Sequence, residues 1–443
     1  MFWRGGMIPS LSWEEELGRW VAPFLERLGR AERRRWAPLY LKGLLLPGER
    51  KSIEPLAERV CPGEVQQLHH FISTSPWQSA PLQEVLFEKA DRLLGGGEAV
   101  LLIDDTALVK QGSHSVGVAR QYCGELGKRA NCQSLVTLTL ARGEVPLPIW
   151  MRLFLAESWA EDTERCQKAG IPEAERVHQP KWEIAIRGLD EVLAAGVRFG
   201  SVGADAEYGK APRFRRALQE RRLRYAVGIL PQQRVYPADV VMHPPVRKRP
   251  GVRPPVHPTP SVESVQAQAM IGALGEDAFQ EITWRRGTKG PLKARFARIR
   301  VRMAEGDPIG SGRRAPAEEE LWLVCEWRTT GEKKYYLCNH PPETPFKALV
   351  RAIKARWSCE QAHEQMKNDL GLDHLECRGW QALQHHTVLV MMAMAFLQQL
   401  RLGGKKKGQG SRRTSALSFS APDPQSAGRA AQTHAAQALP ALS

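Results

Sequence analysis

Four carboxylic residues stand where the folded chain can bring them together for catalysis. Asp104 and Asp105 follow a short apolar run that predicts a buried strand, Asp205 follows a second predicted strand, and Glu360 lies in a predicted helix. Because ligands gather at the carboxyl ends of strands in open α/β sheets, we expect these side chains to converge. Their oxygens can hold two Mg²⁺ ions, which activate the attacking oxygen and stabilise the leaving oxygen in an in-line displacement at phosphorus.

A simpler structural role is also open for each of these residues. An aspartate at the end of a strand is often a turn former or a helix cap. On a helix, Arg356, Glu360, Glu364 and Lys367 share one face, because they are spaced i, i+4, i+8 and i+11. That face is either a row of surface salt bridges or a place where two cations bind phosphate groups.

Other kinds of catalytic or metal site find little support. The eight cysteines contain no Cys-x-x-Cys pair, which argues against a zinc ribbon, and their sparse distribution indicates reduced thiols in a cytoplasmic protein. There is no clear Ser-His-Asp or Cys-His signature. Glu360 and His363 have the Glu-x-x-His spacing of di-iron bundles, but the motif occurs singly. The apolar neighbours Trp357 and Cys359 predict that Glu360 is buried.

The charge of the chain predicts a polyanionic partner. The sequence has 63 basic and 48 acidic residues, a net charge of +15 and a pI of about 9.6. Residues 213–300 alone carry 18 basic and 6 acidic residues, so the excess is focused, as on a nucleic-acid-binding surface. The longest apolar run, residues 388–397, is half the roughly 20 residues that cross a bilayer, so no membrane span is expected.

The periodicity of apolar residues predicts an α/β fold in several parts. Strands alternate with helices up to residue 230, a proline-rich stretch follows, and further strands precede two late helices. We predict a helical N-terminal domain that contacts DNA, the first part of a catalytic core, a proline-rich linker with a β-rich basic insertion, the C-terminal helices of the core, and a disordered tail. These parts span residues 1–95, 96–230, 231–345, 346–402 and 403–443.

Three segments resemble the acidic boxes of bacterial DDE-type insertion-sequence transposases. They are residues 102–106 (LIDDT), 203–209 (GADAEYG) and 356–367, in which Arg356, Glu360 and Lys367 match the third box in register. Ile353 stands where that group has a tyrosine. Residues 284–290 (WRRGTKG) are similar to the insertion domain of the same group.

The resemblance implies an RNase-H-like mixed-sheet catalytic domain with a β-rich insertion before the catalytic glutamate. It assigns Asp105, Asp205 and Glu360 as catalytic residues and metal ligands, with Asp104 and Glu364 as neighbouring or alternative carboxylates. It implies two Mg²⁺ ions, with Mn²⁺ as a substitute. The DNA-binding residues that we expect are Arg356, Lys367, Trp284, Arg285, Arg286 and Lys289.

The function that this resemblance implies is metal-dependent cleavage at transposon ends followed by DNA strand transfer. The partners would be the terminal inverted repeats, target DNA and a second copy of the chain, in a bacterial cytoplasm near the nucleoid. Two alternatives stay open: a decayed or domesticated DNA-binding protein, which Ile353 favours, and a metal-dependent nuclease without strand transfer.

Overall fold

The N-terminal region is helical, as predicted. The computed structural model describes residues 12–245, 257–287 and 290–407. Its first five helices are α1 (Trp13–Glu26), α2 (Ala31–Leu45), α3 (Ile53–Val60), α4 (Val65–Ser73) and α5 (Ala80–Leu94). Helix α1 begins with a capping box, in which Ser12 Oγ accepts from the Glu15 amide at 3.2 Å and Glu15 Oε2 accepts from the Ser12 amide at 2.8 Å.

The remaining helices surround a large mixed sheet. They are α6 (Glu157–Ala160), α7 (Thr163–Lys168), α8 (Lys181–Ala194), α9 (Ala206–Gly209), α10 (Pro212–Glu220), α11 (Ala267–Gly272), α12 (Phe346–Lys354), α13 (Trp357–Asn368) and α14 (Trp380–Lys407). The N-terminal helices share one hydrophobic core with α14, as the packing of Trp20 against Phe396 illustrates. No helix in the described ranges is long and apolar enough to cross a membrane.

Fourteen strands are present in the described part of the chain. They are β1 (Gly96–Val109), β2 (Ala119–Cys123), β3 (Lys128–Arg142), β4 (Val145–Phe154), β5 (Phe199–Ala204), β6 (Tyr225–Ile229), β7 (Arg234–Pro237), β8 (Met242–His243), β9 (Thr259–Pro260), β10 (Val265–Gln266), β11 (Gln280–Gly287), β12 (Gly290–Met303), β13 (Glu320–Trp327) and β14 (Lys333–Cys338). Twelve of them form one sheet, and β8 and β9 form a separate pair.

The half of the sheet that contains β1 and β5 has RNase-H-like topology. Strands β1, β3 and β4 form an antiparallel meander, and β5 and β6 follow in parallel on the other side of β1. The connections through α8 and α10 are the helical crossovers that parallel pairing requires. The predicted mixed α/β fold with a helical N-terminal region is confirmed.

The β-rich insertion continues the same sheet. Strand β14 pairs with β6, and β13, β12, β7 and β10 follow outward. Strand β7 lies inside the stretch that we predicted to be a proline-rich linker, and Pro237 is the last residue of that strand. The division into separate domains stays a prediction. Most of the predicted disordered tail lies outside the described residues.

Two local differences from the predicted elements affect the site. The first of the two predicted late helices is divided into two, α12 and α13, and Arg356 is the N-cap residue of α13. Strand β1 does not end at Asp104 but runs on to Val109, so that β2 and β3 form a hairpin beyond it.

Ile353 is 5 % exposed and packs in a hydrophobic core beneath α12.

Candidate active site

The register of two parallel strands places Asp104 beside Asp205. Ile103 of β1 pairs with Ala204 of β5, so the next residue of each chain is an aspartate at the same level of the sheet. Neighbouring residues at the same level point to the same face. Asp104 and Asp205 therefore share one face, and Asp105 points to the other.

Close packing of glycines fixes the position of Asp205. Asp205 is the N-cap of α9, and its Oδ1 accepts from the amides of Glu207 at 2.9 Å and Tyr208 at 3.3 Å. A side chain on Gly228 would put a Cβ 2.7 Å from the amide nitrogen of Ala206. Glycine at this position lets α9 lie directly on β6. Asp205 thus acts as a helix cap through one oxygen.

Helix α13 covers the face that carries Asp104. Cys359 is fully buried in a small core with Leu102, and its Sγ lies 3.3 Å from Asp104 Oδ2. Arg356 Nη1 lies 2.8 Å from the same oxygen, and Arg356 Nη2 binds Glu360 Oε1. One guanidinium thus joins Asp104 to Glu360. Burial lowers the pKa of Arg356, but the negative charges of Asp104 and Glu360, with a smaller contribution from Asp205, outweigh burial and raise it.

Asp105 has a different set of partners. Its Oδ2 lies 2.6 Å from Lys181 Nζ, at the start of α8, and 3.3 Å from Ser134 Oγ. The assignment of Asp105 as a catalytic residue and metal ligand stays a prediction. Asp104, the alternative in the sequence analysis, is the aspartate that contacts the helix of Glu360.

Burial and mutual repulsion shift the titration of the two aspartates. The pKa of Asp205 is raised to about 6, because burial penalises its charge and the negative charge of Asp104 adds to this penalty. The pKa of Asp104 is also raised, chiefly by burial, although Arg356 opposes the shift. Paired carboxylates of this kind are stabilised by any positive charge placed between them.

His363 is part of the support of Asp104. It is buried, and its Nε2 lies 2.9 Å from Thr137 Oγ1, while Thr137 Oγ1 donates to the carbonyl oxygen of Asp104 at 3.1 Å. Since a hydroxyl has one proton to donate, we assign the Nε2 proton to His363. Burial lowers the pKa of His363 to about 4, so the ring is neutral at pH 7.

The other predicted residues of α13 are spread along one side of the helix. The side chain of Glu360 is 49 % exposed, so the expectation that Trp357 and Cys359 bury it is wrong: Cys359 turns to the sheet and Glu360 turns away. Glu364 is exposed one turn further on. Lys367 Nζ lies 2.7 Å from Glu125 Oε2, beyond the end of β2.

The insertion residues reach the start of α13 through Arg285. The guanidinium of Arg285 lies 3.6 Å from the ring centre of Trp357, and its Nη1 is 3.1 Å from Glu144 Oε1. Trp284 lies in strand β11. It packs edge-on against Phe296 with Lys354 Nζ 4.6 Å from its ring centre, as for a tryptophan of the insertion core.

The remaining two predicted DNA contacts differ in what the structure describes. Arg286 is exposed, and Lys289 lies outside the described residues.

Part of the positive charge of residues 213–300 is paired with carboxylates of the same protein. At least six of its basic residues lie within 4 Å of a carboxylate, namely Arg215, Arg221, Arg285, Lys293, Arg295 and Arg300.

Tyr208 and Lys181 are site residues that sequence reasoning missed. The Tyr208 hydroxyl is fully buried and has no hydrogen-bond partner in the described part of the chain. Burial, together with the charges of Asp105, Asp104 and Asp205, raises its pKa. Tyr208 follows Asp205 by three residues, which is a usable signal. Nothing in the sequence connects Lys181 to Asp105.

The donor set fits a hard divalent cation, although the side chains are not gathered around one. Within the described residues, no three His, Cys, Asp or Glu side chains stand close enough to hold a metal ion. The nearest acidic group, Asp104, Asp205 and Glu360, offers only oxygen ligands, which suit Mg²⁺ or Mn²⁺. Arg356 binds two of these carboxylates and would have to withdraw from them.

Asp205→Asn is expected to stabilise the cation-free protein at pH 7.5. The unfolded chain loses this proton near pH 3.9 and the folded protein near pH 6, so the folded state loses stability as the pH rises through that window. Asparagine caps a helix equally well but carries no charge. We expect a gain of about 1–2 kcal/mol at pH 7.5 that shrinks towards pH 4.5. Urea unfolding in EDTA at several pH values measures it, and a gain independent of pH would contradict this explanation.

An RNase-H-like sheet with acidic residues at the ends of adjacent strands and on a covering helix defines a class of metal-dependent nucleases and strand transferases. The family model for DDE superfamily endonucleases matches residues 23–291, which is more than half of the chain. The protein belongs to this DDE superfamily endonuclease family. Membership of this family implies that the endonuclease activity depends on a divalent metal ion, without specifying which one.

Two similar proteins are both associated with transposition. The chain is 32 % identical over 182 residues to a probable transposase for insertion sequence element IS701 of Microchaete diplosiphon. That alignment covers 41 % of this chain and 45 % of the relative, so it spans less than half of each. A piggyBac transposase, solved in a synaptic complex with hairpin DNA, aligns at 8 % identity and a TM-score of 0.42 over 97 % of this chain and 84 % of its own.

Proposed function

We propose that this protein is a transposase that cleaves DNA at transposon ends and transfers the freed strand into target DNA. The observation that carries the proposal is the grouping of Asp104, Asp205 and Glu360 around Arg356 in a member of an endonuclease family. Sequence similarity to an insertion-sequence transposase supports it. Ile353, the residue that favoured a decayed protein, is part of a hydrophobic core, so its role is in packing.

In the proposed site, Asp104, Asp205 and Glu360 supply the oxygen ligands for two Mg²⁺ ions, or for Mn²⁺ in their place. Such ions polarise the attacking oxygen and neutralise the leaving one. Asp205 is largely ionised at neutral pH despite its raised pKa of about 6, so it can bind cations there. His363 stays neutral and holds the backbone of Asp104 in place through Thr137.

Two successive displacements at phosphorus use the same residues. In the first, a water oxygen bonds to phosphorus and the bond from phosphorus to the 3′ oxygen breaks. In the second, the oxygen of that 3′-OH bonds to a phosphorus atom of the target strand and loses its proton, while the bond from that phosphorus to the 3′ oxygen of the target strand breaks and the departing oxygen becomes a new 3′-OH. Arg356, once released from Asp104 and Glu360, is placed to bind a phosphate oxygen of the DNA. Arg285, Arg286, Lys289 and Lys367 are proposed as further DNA contacts.

The assembly that we propose is a homodimer holding two terminal inverted repeats, in the bacterial cytoplasm near the nucleoid. Two active sites are then presented to one target DNA. The helical N-terminal region is proposed to bind the repeats. The overall excess of positive charge, +15, favours association with DNA and makes it dependent on salt.

Cleavage is expected to require Mg²⁺ or Mn²⁺ and to stop in EDTA, while binding of the DNA end persists. The substrate is a labelled duplex that carries the inverted repeat found beside the gene, with nicking and strand joining measured on gels. A scrambled duplex of equal length is the control for end recognition. Undiminished cutting in EDTA contradicts the metal mechanism. Specific binding without cutting in either metal indicates the DNA-binding protein instead, and cutting without joining indicates a simple nuclease.

A further inference from the structure

A β-hairpin projects from the sheet on the same side as the candidate active site. Residues 119–123 of β2 pair with residues 128–132 of β3. Val109, the last residue of β1, lies opposite Cys132, so the hairpin extends past the carboxyl end of β1, five residues beyond Asp104. We call residues 119–132 the distal hairpin.

The distal hairpin is held against the helix that carries Glu360. Glu125 lies in the turn of the distal hairpin and forms an ion pair with Lys367 of α13 at 2.7 Å. The side chain of Lys367 is only 12 % exposed. Lys367 follows Glu360 by seven residues, or about 11 Å along a helix. The contact neutralises the one acidic residue of the hairpin and fixes the turn near the site.

One face of the distal hairpin presents an aromatic ring between two arginines. Tyr122 is 65 % exposed, so most of its side chain is open to solvent. Arg129 is its cross-strand partner, and Arg120 lies two residues before it, on the same face. The buried Cys123 points to the opposite face. Within the described residues, neither arginine lies within 4 Å of a carboxylate, although Arg129 Nη2 donates to the carbonyl oxygen of Arg120 at 3.1 Å.

We propose that the distal hairpin binds unpaired nucleotides of the DNA end, with Tyr122 stacked on a base and the two arginines on flanking phosphates. This proposal rests on the proposed function, because it needs DNA at the neighbouring site. Base stacking uses an exposed flat ring, and the phosphate contacts use cations without acidic partners. The half-buried Trp284, which the sequence analysis named as a DNA-binding residue, has its ring occupied by Phe296 and Lys354.

The test compares a blunt duplex with the same duplex carrying a short single-stranded overhang. Fluorescence anisotropy gives both affinities for the full chain in EDTA, where cleavage is absent. Tyr122→Ala is expected to weaken binding of the overhang duplex by about tenfold or more and to leave the blunt duplex unchanged. Tyr122→Phe should bind as the wild type does. Val177→Ala removes an apolar side chain elsewhere that is 57 % exposed, and it should change neither affinity.

The two arginines are tested separately through salt. Arg120→Ala should weaken overhang binding and reduce the slope of log K against log salt by about 1, because one phosphate contact is lost. Equal affinities of wild type and Tyr122→Ala for the overhang duplex overturn the proposal. So does a change in oligomeric state of Tyr122→Ala, seen by light scattering without a change in DNA affinity, which marks the surface as a protein contact.

Failure of this proposal is distinguishable from failure of the proposed function. If the wild type binds and cleaves the blunt end but Tyr122→Ala loses nothing on the overhang, only the role of the distal hairpin is wrong. If the wild type binds neither duplex, both proposals fall together.

Discussion

Asp104→Asn is expected to lower DNA cleavage by about three orders of magnitude, whereas Asp105→Asn retains activity within about tenfold. Asp104 faces Asp205 and α13, and it shares Arg356 with Glu360, so its loss removes a ligand from the proposed cation site. A thousandfold loss corresponds to about 4 kcal/mol of transition-state stabilisation. Single-turnover nicking of a labelled end measures both variants, and a gel shift on the same preparation shows that binding persists.

The ion pair of Asp105 calls for a control. Asp105→Asn leaves the Lys181 ammonium without its carboxylate partner, so this variant can lose stability without being catalytic. The double variant Asp105→Asn, Lys181→Gln removes both charges and separates the two effects. If Asp105→Asn is folded and inactive while Asp104→Asn cuts, the catalytic aspartate is Asp105 and our use of the strand register is wrong.

Glu360→Ala is expected to lose cleavage by several orders of magnitude, and Glu364→Ala to keep most of it. Both glutamates are exposed on α13, one turn or about 6 Å apart, which makes them a matched pair. Only Glu360 shares the guanidinium of Arg356 with Asp104. End binding by Glu360→Ala should be unchanged or tighter, since a negative charge facing phosphates is gone.

Both variants are measured side by side for nicking and for binding of the same labelled duplex. An inactive Glu364→Ala with an active Glu360→Ala would shift the third carboxylate by one helical turn. Normal cutting by both would remove α13 from the active site, and the DNA-binding alternative would then be the better explanation.

The uncertainty between Asp104 and Asp105 has a physical origin. The strand that precedes them, residues 99–103, is apolar at every position because it is buried on both faces. Without alternation, the sequence does not reveal which residues face which side. The end of β5 and the place of Asp205 were predictable from the sequence, but the face of β1 became known only from its pairing with β5.

Several other features of the structure were not predicted from the sequence, mostly because they depend on contacts between distant residues. The hairpin of β2 and β3 is polar at its outer positions, so it has no apolar alternation to mark it as strand. The division between α12 and α13 has no proline or glycine at its boundary. The pairing of Lys181 with Asp105 joins residues 76 positions apart, which no local pattern encodes. Local spacing therefore predicted most of the elements, but it missed this hairpin, the division of the late helix and the contacts between distant residues.

The pairing of β14 with β6 makes the insertion structurally indispensable to the catalytic half of the sheet. Ile229 to Ala226 of β6 are hydrogen-bonded to Tyr335 to Cys338 of β14. A shortened protein without residues 231–338 would expose the amides and carbonyls along one side of β6, next to an almost wholly apolar surface. An exposed strand edge of this kind can pair with strands of other molecules. Attempts to trim this protein into a compact genome-editing module by excising the insertion would thus yield aggregates, and miniaturisation has to begin elsewhere.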